Sequence, residues 1–220
     1  MIISLNDEVN QLFFLKFIFR SLSAAFLLLF CWGCQSTSKK VAGPQDAVLI
    51  ESKAQIRNSG GTNTVQIEVI LLPQRAIRME ISGTLGVSVA SVVLTPQNIS
   101  YLLHGPKQYV SGPFHEKTLY PIFKKNIDPL VFWRVLHRQS PATGVMKCEN
   151  NAEQKPIACN SQDGTLVKWL YEGDKTRRID ISSDHFEMSW VFKSEKIFNS
   201  YQNETFVLKK PQSYTEIIIK

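Results

Sequence analysis

Residues Val65–Val93 read VQIEVILLPQRAIRMEISGTLGVSVASVV. Val65, Ile67, Val69 and Leu71 alternate with Gln66, Glu68 and Ile70, and Ile77, Met79 and Ile81 alternate with Arg78, Glu80 and Ser82. Val87, Val89 and Val93 continue the run with small residues between them. A period of two puts apolar side chains on one face of a sheet and polar ones on the other. The breaks, Pro73-Gln74 and Gly83 to Gly86, are short and carry turn residues. Consecutive strands with such breaks form an antiparallel meander.

The same signal recurs downstream. It places strands at Ile99–Leu103, Gln108–Val110, Gly144–Cys148, Thr165–Tyr171, Arg177–Ser182 and Phe186–Phe192, with Phe206–Leu208 and Thr215–Ile219 closing the chain. One region departs from it: residues 115–140 carry a helical pattern. Asp128-Pro129 is a start signal, a side-chain acceptor at the N-cap followed by a residue that needs no N–H. Leu130, Trp133, Leu136 and His137 then share a face, and Pro141 is the expected stop. A shorter helix is expected over Lys117–Lys125. The fold class is therefore mainly β (α+β): a large antiparallel sheet with a short helical insertion on its concave face.

Composition narrows the classes. The chain has 220 residues, of which 44% are hydrophobic and 20% charged, a globular balance. A mean hydropathy of −0.09 excludes a multi-span helical membrane protein. The net charge of +6 suits anionic surfaces without choosing among them. Lys124, Lys125, Arg134 and Arg138 surround the helical insertion, and Arg177-Arg178 are adjacent on a strand. No basic-aromatic motif of the RNA-binding kind is present, so nucleic acid is not an expected partner. The sequence lacks G-x-S-x-G, P-loop, G-x-G-x-x-G and H-E-x-x-H patterns, so no catalytic residue, metal ligand or cofactor is assigned.

The first residues read as a targeting segment. Lys16 and Arg20 precede the uncharged run SLSAAFLLLFCWG, residues 21–33, too short for the about 20 residues of a spanning helix. It ends at Gly33-Cys34, which resembles a bacterial lipobox, with Cys31 and Trp32 as atypical flanks. The resemblance implies cleavage after residue 33 and lipidation of Cys34. The alternatives are ordinary secretion or an uncut anchor. The anchor is disfavoured because Lys16 and Arg20 would each cost about 2.5–3.5 kcal/mol at mid-membrane. Residues 34–46 then form the lipidated cysteine and a flexible tether, and residues 47–220 the domain. Lys39 and Lys40 would lie near headgroups. Gln35, rather than Asp, after the lipidated cysteine implies sorting to the periplasmic face of the outer membrane.

Cys148 and Cys159 flank ENNAEQKPIA, read as a hairpin loop. In an oxidising compartment a bond between them is the expectation and two free thiols the alternative. Their spacing does not suit zinc, and His104, His115, His137 and His185 form no ligand pair.

Four stretches, AIRMEISGTLGVSVASVVLT, IDPLVFWRVLHRQSP, LVKWLYEGDKTRRIDISSDHFEMSWVFKSE and FVLKKPQSYTEI, occur in an order similar to the LolA/LolB family of bacterial lipoprotein carriers. The resemblance spans roughly residues 47–219. It implies an unclosed β half-barrel with a helical lid. The lipobox points to the membrane-anchored receptor type (LolB), a monomer that accepts lipoproteins from a soluble carrier by holding their acyl chains. Each exposed CH2 costs about 0.8 kcal/mol, so the family's cavity must be dry and apolar. Candidate lining residues are Ile67, Val69, Ile77, Met79, Ile81, Val87 and Val89 early in the chain. Trp169, Phe186, Met188 and Trp190 follow late, capped by Trp133 and Leu136. An accessory envelope protein with a filled core would use the same residues. Leu85, in the turn Gly83-Thr84-Leu85-Gly86, matches the protruding leucine by which the receptor type delivers cargo to the membrane. Its two glycines permit a projecting loop.

Overall fold

The computed structural model describes residues 46–123, 127–139, 146–162, 164–173 and 175–220. They belong to one unit, Val41–Lys220, while Met1–Lys40, with Cys34 and most of its tether, lies outside the described residues.

A single unclosed sheet of twelve strands forms the unit. Six strands make the first meander: β1 (Ala47–Asn58), β2 (Gly61–Leu72), β3 (Ala76–Ser82), β4 (Ser88–Leu94), β5 (Asn98–Leu103) and β6 (Gln108–Pro113). Helices α1 (Glu116–Phe123) and α2 (Pro129–Leu136) follow. The second meander holds β7 (Met146–Asn150), β8 (Pro156–Ser161), β9 (Leu166–Glu172), β10 (Lys175–Ser183) and β11 (Phe186–Phe198). β1 pairs with β11 and joins the two halves. β12 (Thr215–Ile218) runs parallel to β6, so the sheet is antiparallel except at that edge. β12 and β7 are its two ends.

Alternation builds the concave face as expected. Val69 and Ile77 are fully buried, and Val69 lies opposite Met79 and Ile67 opposite Ile81. Ser52 is buried where β1 meets β11. It accepts the Trp190 Nε1–H at 2.8 Å and donates to the Ile67 carbonyl at 2.7 Å, so both polar groups enter the core satisfied.

The structure departs from the sequence pattern in several places. β1 carries the clear pattern Ala54, Ile56 between polar residues, yet it lies outside the expected strands. Phe206–Leu208 forms no strand. After β11 the chain crosses the outer face of the sheet. Tyr201 and Phe206 pack on Ala47, Leu72 and Ala76, and Leu208 packs on Val93 and Leu102. Arg78 Nη1 holds this strap through the Thr205 carbonyl at 2.7 Å. Pro156–Ala158, expected in a loop, belong to β8.

α2 starts as expected: the Asp128 side chain accepts from Leu130 N at 2.8 Å, and Pro129 is the first residue. It ends before the expected stop. His137 caps it and Arg138 turns left-handed at φ 55°, while Pro141 lies outside the described residues. The buried face contains Val131, Phe132, Trp133, Val135 and Leu136, with Leu130 at its margin.

Candidate functional site

The concave face and the two helices line an apolar cavity of about 90 Å³. From the sheet it is lined by Ile56, Val65, Ile67, Met79, Ile81, Val92, Leu94, Met188 and Trp190, and from the helices by Leu119, Ile122, Phe123 and Phe132. Among the described residues, no polar or charged side chain intrudes beyond the Trp190 indole N–H, which Ser52 occupies. The lid helices fill most of the trough. Phe123 stacks on Phe132 at 5.2 Å and meets Phe186 edge-on at 5.5 Å. What remains is well below the roughly 300–1,000 Å³ of typical ligand sites.

Of the expected lining residues, Ile67, Met79, Ile81, Met188 and Trp190 border this cavity. Val69, Ile77, Trp133, Leu136, Trp169 and Phe186 are buried in the surrounding core. Val87 and Val89 are not: they are 64% and 43% exposed. Val87 precedes β4, and Val89 shares the parity of Ser91 and Val93, the outer-face side on which Val93 packs with Leu102 and Leu208. A bulge marks the same place: Ile81 faces Ala90 and Ser82 faces Ser88, which leaves Val89 as an extra residue. Beyond it Ala90, Val92 and Leu94 take the concave side. Val92 and Leu94 thus replace Val87 and Val89. Phe132, Phe123, Leu119 and Ile122 were also missed; the helical pattern that carries them was legible, but not which of its faces meets the sheet.

Two polar links tie the lid to the sheet. The buried Tyr101 hydroxyl donates to the Thr118 carbonyl of α1 at 2.9 Å, and burial pushes its pKa well up. At the end of α2, His137 Nδ1 lies 2.7 Å from the Trp133 carbonyl, and the Gln74 N–H points at Nε2 at 3.1 Å. A carbonyl only accepts and an amide only donates, so the ring must be neutral with its proton on Nδ1. Burial lowers the His137 pKa, partly offset by that carbonyl.

The turn between β3 and β4 follows shortly after Ile81, which lines the cavity. Leu85 is fully exposed and takes φ 70°, ψ 14°. Gly86 is also left-handed at φ 75°, but Gly83 is extended, so the leucine itself and not the first glycine carries the strain. Hydrogen bonds from Gly83 N to the Val87 carbonyl (2.8 Å) and from Gly86 N to the Gly83 carbonyl (3.2 Å) hold the turn.

Cys148 and Cys159 are joined by a disulfide across directly opposed positions of β7 and β8, with Cα atoms 4.0 Å apart. Among the described residues no helix is long and apolar enough to cross a membrane.

No family model and no curated protein matches the chain. Solved structures do. A LolA superfamily protein from Nitrosomonas europaea matches 77% of this chain and 93% of its own at 7% identity and TM-score 0.48. A candidate outer membrane lipoprotein-sorting protein domain from Vibrio parahaemolyticus matches 74% and 90% at 6% identity and TM-score 0.46. A DUF1329 family protein from Desulfovibrio piger matches 74% and 90% at 7% identity and TM-score 0.49. With such identities and TM-scores below 0.5, these likenesses carry no weight for what the chain binds.

Proposed function

We propose that the chain is an envelope lipoprotein that accepts the acyl chains of other lipoproteins on its concave face and passes them into the outer membrane. The observation that carries this reading is the pairing of a wholly apolar trough, roofed by two short helices, with a fully exposed leucine in the turn that follows its lining strand β3. An apolar side chain in a strained backbone conformation is disfavoured twice over in water, and contact with hydrocarbon relieves the first cost. Cargo entry requires the helices to withdraw Phe123 and Phe132, since the cavity is far smaller than an acyl chain. In this reading Cys34 carries the lipid anchor, the domain acts as a monomer on the periplasmic face, and a soluble carrier delivers the cargo.

The test uses the full chain in liposomes, mixed with a soluble carrier loaded with a labelled lipoprotein. Label should move to the membrane with the parent chain. Leu85→Glu should stop that step while leaving the fold intact. Normal transfer by the variant would sink the role of the loop, and no transfer by the parent would sink the receptor reading. The small cavity favours a second reading, an accessory envelope protein with a filled core. Solvent extraction of the chain purified from cells separates the two, because a filled core yields no bound acyl chain.

A further inference from the structure

Three backbone irregularities converge around the β9–β10 turn and the end of α2. In β10, Thr176 faces Tyr171 and Arg178 faces Leu170, which leaves Arg177 as the extra residue of a bulge. In β11, Phe192 faces Ser52 and Ser194 faces Glu51, which leaves Lys193 unpaired in the same way. A bulged residue is re-aimed out of the normal alternation. The third is Arg138, left-handed just past α2. All three side chains line one pocket of about 350 Å³, and Lys175, the first residue of β10, joins them. The volume lies within the range of small-molecule sites.

The walls and the floor differ. Glu195 pairs with Arg138, and Glu172 lies 3.6 Å from Arg177, whose Nη1 also donates to the Phe192 carbonyl at 2.8 Å. Lys175 and Lys193 enter no ion pair among the described residues, although Lys193 helps to lower the pKa of Glu51. Among the described lining residues, two positive charges are thus in excess. The floor is apolar, formed by Ile50, Val135, Leu136 and Phe192. The pocket shares no lining residue with the cavity under the lid.

We infer that this pocket binds a single anionic group, a phosphate ester or carboxylate, carried on a short apolar stem. The anion would meet Lys175 and Lys193 and lie beside the two arginines. The stem would cover the floor, where a bare inorganic ion would leave apolar surface wet. This site stands apart from the acyl-chain reading and survives its failure.

Calorimetry of the full chain in nanodiscs of neutral phosphatidylcholine tests it, with hexyl phosphate as probe. Hexyl phosphate should bind at one site, more tightly than inorganic phosphate, and hexanol should not bind there. Lys175→Gln/Lys193→Gln, both exposed positions, should weaken binding at least about tenfold. The control Lys53→Gln/Lys168→Gln, with the same change in net charge on other exposed positions, should leave it unchanged. Absent binding, equal losses in both variants, or inorganic phosphate binding as tightly as the ester would overturn the inference. Dihexanoyl phosphatidylglycerol identifies the source: tighter binding than hexyl phosphate supports the site as one for a lipid headgroup, weaker binding as one for a free soluble ester.

Discussion

Leu85 is held at φ 70°, where a leucine costs roughly 1–2 kcal/mol relative to the ordinary helical region and a glycine costs nothing comparable. Nothing packs on its side chain to repay that cost, since it is fully exposed. Leu85→Gly should therefore raise the unfolding free energy, by about 1 kcal/mol in a urea titration, while abolishing transfer to liposomes. A loss of stability instead would mean that the side chain contributes to the fold. The Gly-x-x-Gly spacing made the turn legible, but not which residue takes the left-handed conformation. That depends on the Gly83–Val87 hydrogen bond, a tertiary outcome of how β3 enters β4. The same limit separates Val87 and Val89 from Val92 and Leu94. Alternation gives each strand two faces, and where both carry apolar residues, as in β4, the pairing with β3 and not the composition decides which one meets the core.

Among the elements, α2 shows both sides of the comparison. Asp128-Pro129 is a local signal, because the cap acts within two residues, and the helix starts there. Its end is non-local: His137 is fixed by Gln74, 63 residues away. That link is sensitive to pH. The folded-state pKa of His137 lies below the ordinary value of about 6.5, so the unfolded chain binds the proton more readily. The stability this site contributes is fully present above about pH 6.5 and is lost as pH falls toward the lower, folded value. Protonation also sets an N–H on Nε2 against the Gln74 N–H. Thermal unfolding from pH 7.5 to 5 should show a decline that His137→Gln lacks, read as the difference between the two curves. Parallel curves would remove His137 as the cause. In the β7–β8 hairpin, replacing both Cys148 and Cys159 with serine should cost roughly 2–3 kcal/mol and speed amide exchange in β7, a terminal strand of the sheet. Unchanged exchange would show the hairpin to be held by its pairing alone.

At the scale of the whole unit, the large sheet and its lid were readable because alternation and one helical interval are strong local signals. The strap was not. Residues 199–214 are polar with scattered aromatics, and their course over Val93 and Leu102 is set by what the outer face leaves uncovered. The parallel edge is equally non-local: β12 reaches β6 only because the strap carries it there. The basic pocket had a partial trace, since Arg138 and Arg177 stood out as charges near the insertion and on a strand. Their convergence needs two bulges that no pattern in the sequence announces. Those bulges, with the one at Val89, have a mechanical consequence. A strand that slipped by one place would reverse its faces and lose its extra residue, so each bulge acts as a detent against sliding. At those three pairings the sheet resists sliding, so room for a guest is expected to come from lifting the roof. Spin labels at Tyr120 and Glu187 should move apart when a fatty acid is added, while a pair at Thr62 and Glu187 keeps its distance. A change in the second pair would mean that the floor yields.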